Sequence, residues 1–473
     1  MRINFKYFLL LIFIFSICRL NAQTKVWTLK ECIDQAVAKN IQLNETQLTS
    51  KLNEINYNQA KANEYPNFSV TDGQTFTFHS NSTGISGNQS GYENISANNA
   101  ALNGSVTLFN GFQLKNTIKQ SKYIYDAGNF DLEKMKNDIT LNVVAAYLQV
   151  LYSYKALEIT KYQINGTLTL LEKTQKYVDA GKLAEGNLLQ VQSQLTADKA
   201  LAVSAENQLQ IAKVALMQLM NMPIVDKFDI DSIGTKEPTV ENIISTDDIY
   251  KTSESIMPEI KSAELITKAD ETSVSIAQAL AYPKLTMGGA LKTAYSSGSS
   301  LYSSITSIQD IGYLQNNPTE KVMGLVPMTT KQNYSFAKQY GDNFTPVISL
   351  NLVIPILSNY QAKYGTAKAR INLQNSHLIA QAVKDQLRKQ IEQVYTDLTA
   401  SIKEYAAARD NLASEQRTYT DMEKKFNIGL TTATDFFIEK NNYEKAQMSV
   451  VQSKYTYIFK SKIVDFYLGK PLN

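Results

Sequence analysis

The chain has 473 residues, 44% of them hydrophobic and 19% charged, with 47 lysines and arginines against 44 acids. That length could hold several cores, but the near-balance of charge argues against a nucleic-acid partner. Past the N-terminus no stretch carries about eighteen successive apolar residues, so a transmembrane helix is not expected and any membrane span has to be a β-barrel.

The N-terminus reads as a signal peptide over residues 1–22. Arg2 and Lys6 precede an apolar run from Tyr7 to Ile17, too short to cross a bilayer as a helix. Cleavage after Ala22 would remove three bases (Arg2, Lys6 and Arg19) and no acid, leaving 44 charges of each sign. Ile17 before Cys18 is bulky where a lipoprotein signal wants a small residue. Cys32 is then the only cysteine of the mature chain, so no intrachain disulfide is expected, and it reads as a small buried apolar residue.

Thr28 with Glu31 forms a capping box ahead of the first helix. That helix runs into Tyr65-Pro66, where proline drives its predecessor out of the α region. Alternation then predicts strands at about 67–79 and 99–110: Phe68, Val70, Phe76 and Phe78 share one parity, with Leu102, Val106 and Leu108 repeating it. Asp72 breaks the apolar parity. A polar loop at about 80–98 joins the two strands. Leu108-Phe109-Asn110-Gly111-Phe112 marks the change to a seven-residue period, and a long helical hairpin is expected over 113–220.

After a linker over 224–245 the same order returns. Ser245 with Asp248 caps a helix that ends at Tyr282-Pro283. Strands follow at about 284–295 (Leu285, Met287, Leu291) and 345–357 (Ile348, Leu350, Leu352, Ile354, Ile356), around a longer polar loop at about 296–343. Ile356-Leu357-Ser358-Asn359-Tyr360 opens a second hairpin over 361–468. Residues 23–223 and 246–473 therefore form two structural repeats.

A shift of 248 residues superimposes the hairpins. Val143, Val150, Leu157, Ile164, Leu171 and Val178 fall on Ile391, Leu398, Tyr405, Leu412, Tyr419 and Phe426. Leu188, Leu195, Ala202, Leu209 and Leu216 fall on Phe436, Tyr443, Val450, Tyr457 and Val464, with Gly181 meeting Gly429. In the first copy the facing positions Ile139, Ala146, Ser153, Thr160 and Thr167 are mostly small, which allows close helix packing.

Nothing here reads as an enzyme. His79 and His377 fall in separate elements, no glycine-rich phosphate loop precedes a helix, and no metal-ligand cluster stands out, so no cofactor is expected. Three non-enzymatic readings remain: a transport duct, a surface-exposed coiled-coil structural or adhesive protein, and a periplasmic adaptor, against which the two complete repeats speak.

The order of these parts resembles the TolC family of outer-membrane efflux ducts. The likeness rests on Trp27-Thr28-Leu29-Lys30-Glu31-Cys32, the two Tyr-Pro helix ends and Leu108 to Phe112. It rests also on the turns Tyr177-Val178-Asp179-Ala180-Gly181 and Phe426-Asn427-Ile428-Gly429-Leu430.

The resemblance implies a mixed α and β membrane protein, a homotrimer in which four strands per chain close a twelve-stranded β-barrel. A long α-helical barrel would continue it into the periplasm, with a small equatorial domain from the linker. It further implies the channel of a tripartite efflux or type I secretion system in the outer-membrane lipid, served by a periplasmic adaptor and an inner-membrane RND or ABC pump. Asp435 matches the first acid of the family's periplasmic gate, while Ile438 stands where the second acid would be and Thr431 precedes them. Without the resemblance, Asp435 reads first as a helix-start residue complementing the dipole. The tips that would dock the adaptor are Ala180, Gly181, Lys182, Ile428, Gly429 and Leu430.

Overall fold

The computed structural model describes residues 25–80, 92–225, 227–231 and 245–470. The expected signal peptide, most of the first strand loop and most of the linker lie outside these residues. Nine helices and eight strands are described: β1 (Val26–Trp27), α1 (Leu29–Lys39), α2 (Ile41–Ala62), β2 (Asn67–Ser80), β3 (Tyr92–Asn110), α3 (Gln113–Asp179), α4 (Glu185–Leu219) and β4 (Asp229–Ile230) come first. Then follow α5 (Thr246–Ile256), α6 (Pro258–Ala279), β5 (Lys284–Ser296), β6 (Leu301–Leu314), β7 (Asn317–Gln332), α7 (Phe336–Asp342), β8 (Thr345–Val353), α8 (Gln361–Asn427) and α9 (Ala433–Tyr467).

In four helices of each copy the lengths agree to the residue. Helices α1 and α5 are both 11 residues long, α2 and α6 both 22, α3 and α8 both 67, α4 and α9 both 35. At 1.5 Å per residue each 67-residue helix runs for roughly 100 Å. Both copies also turn from strand to helix through a left-handed pair, Gly111-Phe112 (φ 64° and 65°) and Asn359-Tyr360 (φ 49° and 55°). A Cβ on Gly111 would stand 2.6 Å from the Tyr282 Cβ, whereas Asn359 reaches the same conformation as a residue tolerant of it.

Two compact units divide the chain. The first comprises the described parts of Met1–Glu54, Tyr123–Lys268 and Gln374–Asn473. Its main core gathers Cys32 and Ala36 of α1, Val143, Tyr147, Val150 and Leu151 of α3, and Leu209, Leu216 and Met217 of α4. The seven-residue stripes lie inward: Val143, Val150, Leu157, Ile391, Leu398, Tyr405 and Phe426 are buried, as are Leu188, Leu195, Leu209, Leu216, Phe436 and Tyr457. Of the facing small positions, Ser153, Thr160 and Thr167 are buried; the Ser153 and Thr160 hydroxyls donate to carbonyls of the preceding turn and the Thr167 hydroxyl to a carboxylate on α4. Burying them therefore leaves no orphan donor. Thr28 and Glu31 complete the capping box on α1, and Ser245 accepts the Asp248 N–H on α5. Beside them β1 and β4 pair in parallel, and the buried Tyr147 hydroxyl donates to the Asp231 carbonyl at 2.7 Å.

The second unit, Ile55–Lys122 and Ala269–Leu373, is built on one antiparallel sheet of order β2-β3-β5-β8. Its register draws the apolar positions onto one face. Phe68, Gly104, Gly289 and Ile348 form one row across the four strands; Val106, Met287 and Leu350 form another. Gly104 leaves room for the Phe68 ring, which a Cβ there would meet at 2.7 Å and push aside. A bulge between Thr107 and Phe109 corrects the sequence parity: Phe109, and not Leu108, stands opposite Leu285.

The single helix expected to open each repeat is two, α1 and α2 parted by the extended Asn40 and α5 and α6 by the extended Met257. Three further expectations change in the second unit. Strand β3 starts at Tyr92, well before residue 99, because Asn94, Ser96 and Asn98 carry no apolar alternation although their backbone pairs with β2. The expected polar loop at 296–343 is instead the β6–β7 hairpin, a two-stranded sheet, followed by α7. The helix packs on β5: buried Gln339 bonds both the N–H and the carbonyl of Ser296, and Thr293 donates to the Tyr340 carbonyl. At the other end β8 stops at Val353, so residues 354–357, expected to continue it, lie outside the strand; Pro355 offers no N–H for a ladder. Asp72, the irregularity of the apolar parity, accepts a bond from Asn98 at 2.9 Å, and Asn98 in turn accepts from the Tyr340 hydroxyl.

Candidate gate and hairpin tips

Both hairpins reverse by the same device. At the end of α3 the Lys182 N–H reaches the Tyr177 carbonyl at 2.8 Å, and at the end of α8 the Leu430 N–H reaches the Lys425 carbonyl at 2.8 Å. Each needs a left-handed residue between, supplied by Gly181 (φ 69°) and Gly429 (φ 77°). Ala180, Gly181, Lys182, Ile428, Gly429 and Leu430 are all exposed, the last three including side chains at 70% (Ile428) and 72% (Leu430). The two turns are held side by side: Lys173 donates to the Asn427 side chain at 2.7 Å. Behind them Phe426, Phe436, Phe437 and Ala433 close on Val191 of the first hairpin. Phe426 and Phe436 stack with ring centroids 4.8 Å apart.

Helix α9 starts at a proper cap. The Thr432 hydroxyl accepts the Asp435 N–H at 3.1 Å and donates to the Asp435 carboxylate at 2.6 Å. Asp435 thus has the helix-start role that its position suggests, with its carboxylate placed against the positive end of the dipole. Its side chain and that of Ile438 are exposed, one turn apart; Thr431, before the cap, is half-buried. Gln190 of α4 donates to Thr434 at 3.1 Å, which ties the two return helices together at this level. The first copy has Ala184 at the cap with no side-chain bond, and Asn187 where the second has Asp435.

Further along α9 lies a cluster that reading the chain did not single out. Lys440 stands 3.4 Å from Asp198 of α4 and 2.5 Å from Glu444. Asp198 is 1% exposed, Lys440 6% and Glu444 8%. Thr167 of α3 donates to Asp198 at 2.5 Å, and Gln194 donates to its other oxygen at 2.7 Å. Burial raises the Glu444 carboxyl above its ordinary range, with Lys440 opposing the shift and Asp198 adding to it. A signal did exist. Asp198 occupies the seam slot filled by Val191, Ala205 and Ala212 in other heptads, and Lys440 and Glu444 replace the uncharged Gln192 and Thr196 of the first copy.

Known proteins agree with this architecture. A family model described as outer membrane efflux protein matches residues 32–222 and 250–469. Toxin and drug export protein A of Aggregatibacter actinomycetemcomitans is 22% identical over 448 residues, covering 91% of this chain and 83% of that protein. The outer membrane protein VceC of Vibrio cholerae superimposes with a TM-score of 0.72 at 14% identity, over 94% of this chain and 97% of its own. The CmeC outer membrane channel of Campylobacter jejuni does so with 0.71 at 16%, over 93% and 85%. With matched stretches on both sides of the linker and over most of its length, this chain belongs to the outer membrane efflux protein family, a family of transport channels and not of enzymes.

Proposed function

We propose that three copies of this chain close a continuous duct through the outer membrane, gated at its periplasmic helical end. The carrying observation is the four-stranded sheet, which has one largely apolar and one largely polar face and, among the described residues, two unpaired edges, β2 and β8. Phe68, Val70, Ile348 and Leu350 are 69%, 77%, 78% and 68% exposed in the single chain. Such a surface needs lipid or a partner, and open edges in lipid would leave backbone groups unsatisfied. Joining β8 of one protomer to β2 of the next closes twelve strands, with apolar residues outward and a water-filled lumen inside.

The helical hairpins extend into the periplasm in this reading. Asp435 and Ile438, exposed one turn apart on α9 with Thr431 ahead of the cap, narrow the aperture, partly as a negative ring and partly as an apolar one. The paired tips dock a periplasmic adaptor that delivers cargo from an inner-membrane RND or ABC pump. Small molecules or polypeptides are the cargo, a reading supported by the toxin and drug export relative.

The test is conductance of the purified, folded protein in planar bilayers. Discrete trimer-sized channels are the expected outcome; detergent-stable trimers that never conduct would sink the duct in favour of a coiled-coil surface protein.

A further inference from the structure

The register of the sheet fixes which charges share its polar face. Lys292 of β5 lies in a row with Thr71 and Ala101 on one side and Thr345 on the other. Eight residues away on the same strand and face, Lys284 lies between Asn110 and Val353. The three rows between them are small or polar apart from Val347 and hold no carboxylate. Asp72 is on the opposite face, bonded to Asn98. Both lysines are exposed, and among the described residues neither has an ion pair.

We propose that Lys292 and Lys284 form two cationic rings in the strand-built lumen that draw anionic solutes through it, making them specificity-determining residues of transport. This rests on the trimeric duct reading. The neighbours of Lys292 in its row are alanine and threonine, so its four-carbon stem is the longest side chain there and carries the ammonium clear of the wall. At about 3.3 Å per residue the two rings stand roughly 26 Å apart, beyond a Debye length at physiological salt, so each acts as a separate site. Each ring repeats in threes around a lumen with low-dielectric walls, where a single sign of charge concentrates its counter-ion. The solutes favoured are those bearing carboxylate, phosphate or sulfate groups. A lysine on the other parity would face lipid at a cost of about 2–4 kcal/mol, so the assignment depends on the register and not on the strand alone.

Two measurements test this on the full mature trimer. In planar bilayers under a potassium chloride gradient, the chloride-to-potassium permeability ratio should fall by roughly threefold or more in Lys284→Gln/Lys292→Gln. It should fall further in Lys292→Glu and keep its parental value in Lys292→Arg. An unchanged ratio in the double variant overturns the inference while leaving the duct intact; absence of channels in the parent overturns the duct reading with it. In a Cys32→Ser background, Lys292→Cys should react with an anionic, membrane-impermeant thiosulfonate and Leu291→Cys should not. The reverse labelling pattern would put the lysines on the lipid face and overturn the assignment even if a Gln variant failed to assemble.

Discussion

Lys440 of the second hairpin reaches across to Asp198 of the first, its Nζ 3.4 Å from the Asp198 Oδ2, although 242 residues separate them in sequence. Both side chains are almost fully buried, and each also bonds a neighbour: Glu444 for the lysine, Thr167 and Gln194 for the aspartate. A buried charge stripped of its partner costs more than the pair gains. Lys440→Met should therefore destabilise the helical hairpins by about 3–5 kcal/mol. The triple variant Asp198→Asn/Lys440→Met/Glu444→Gln should recover most of that loss. Guanidinium unfolding in detergent, followed by helical circular dichroism, measures both; a single variant as stable as the parent would contradict the account.

The same cluster sets a pH dependence. The Glu444 carboxyl is raised from an ordinary 4.5 chiefly by burial, so the folded state favours its protonated form. Its contribution to stability is complete below 4.5 and fades as pH rises through the raised folded value. Lys440, Asp198 and Tyr419 are the charged or titratable groups coupled to it, and burial pushes the Tyr419 hydroxyl up to about 12, out of this window. Glu444→Gln should flatten the decline of the melting temperature above pH 4.5. A slope equal to the parent's would show that another group is responsible.

Beside its place at the start of α9, Asp435 has the gate role proposed above, and the two can be separated. Removing the cap with Thr432→Ala should cost about 1 kcal/mol of local helix stability, seen as faster hydrogen exchange in the first turn of α9. Asp435→Ala should relieve block of the conductance by divalent cations added at the helical end, and Asp435→Asn should relieve it equally. Block that persists in both variants would restrict Asp435 to its capping role.

The turns can be probed without steric conflict. Around both Gly181 and Gly429 there is nothing within 4 Å of an added Cβ, so the cost of Ala at either site is conformational, about 1 kcal/mol. On the docking and trimer proposals above, Lys182→Glu and a bulky residue such as Trp at Leu430, both exposed positions, should abolish crosslinking to a periplasmic adaptor without loss of the trimer band on native gels. Undiminished crosslinking would move the docking surface off the tips.

Cys32 is fully buried in α1 and its thiol is pushed up to about 12, mainly by burial. The mature folded protein should not react with a maleimide at pH 7.5, and it should react stoichiometrically in denaturant. Labelling of the native protein at the rate of a free thiol would refute the packing of this helix.

Much of this was written into the local pattern of the chain. Val143, Val150 and Leu157 recur every seven residues and are buried; Tyr65-Pro66 and Tyr282-Pro283 close their helices; Gly181 and Gly429 mark the reversals. A period is a property of neighbouring residues, so it survives in sequence; the likeness to a family needed in addition the motifs Trp27 to Cys32 and Leu108 to Phe112 and the two hairpin turns. The β6–β7 hairpin left no such trace: Ile305, Ile308 and Ile311 fall on alternating parities, while the backbone ladder that joins Ile308 to Leu325 and Ile305 to Met328 has no need of their alternation. Nor could periodicity report that a bulge hands the row opposite Leu285 to Phe109, or that Asn98 and Tyr340 cover Asp72. Least visible was the meeting of Asp198, Lys440 and Glu444. One by one they look like charges misplaced on a seam, and only the packing of the first hairpin against the second brings opposite charges close enough to share the cost of their burial.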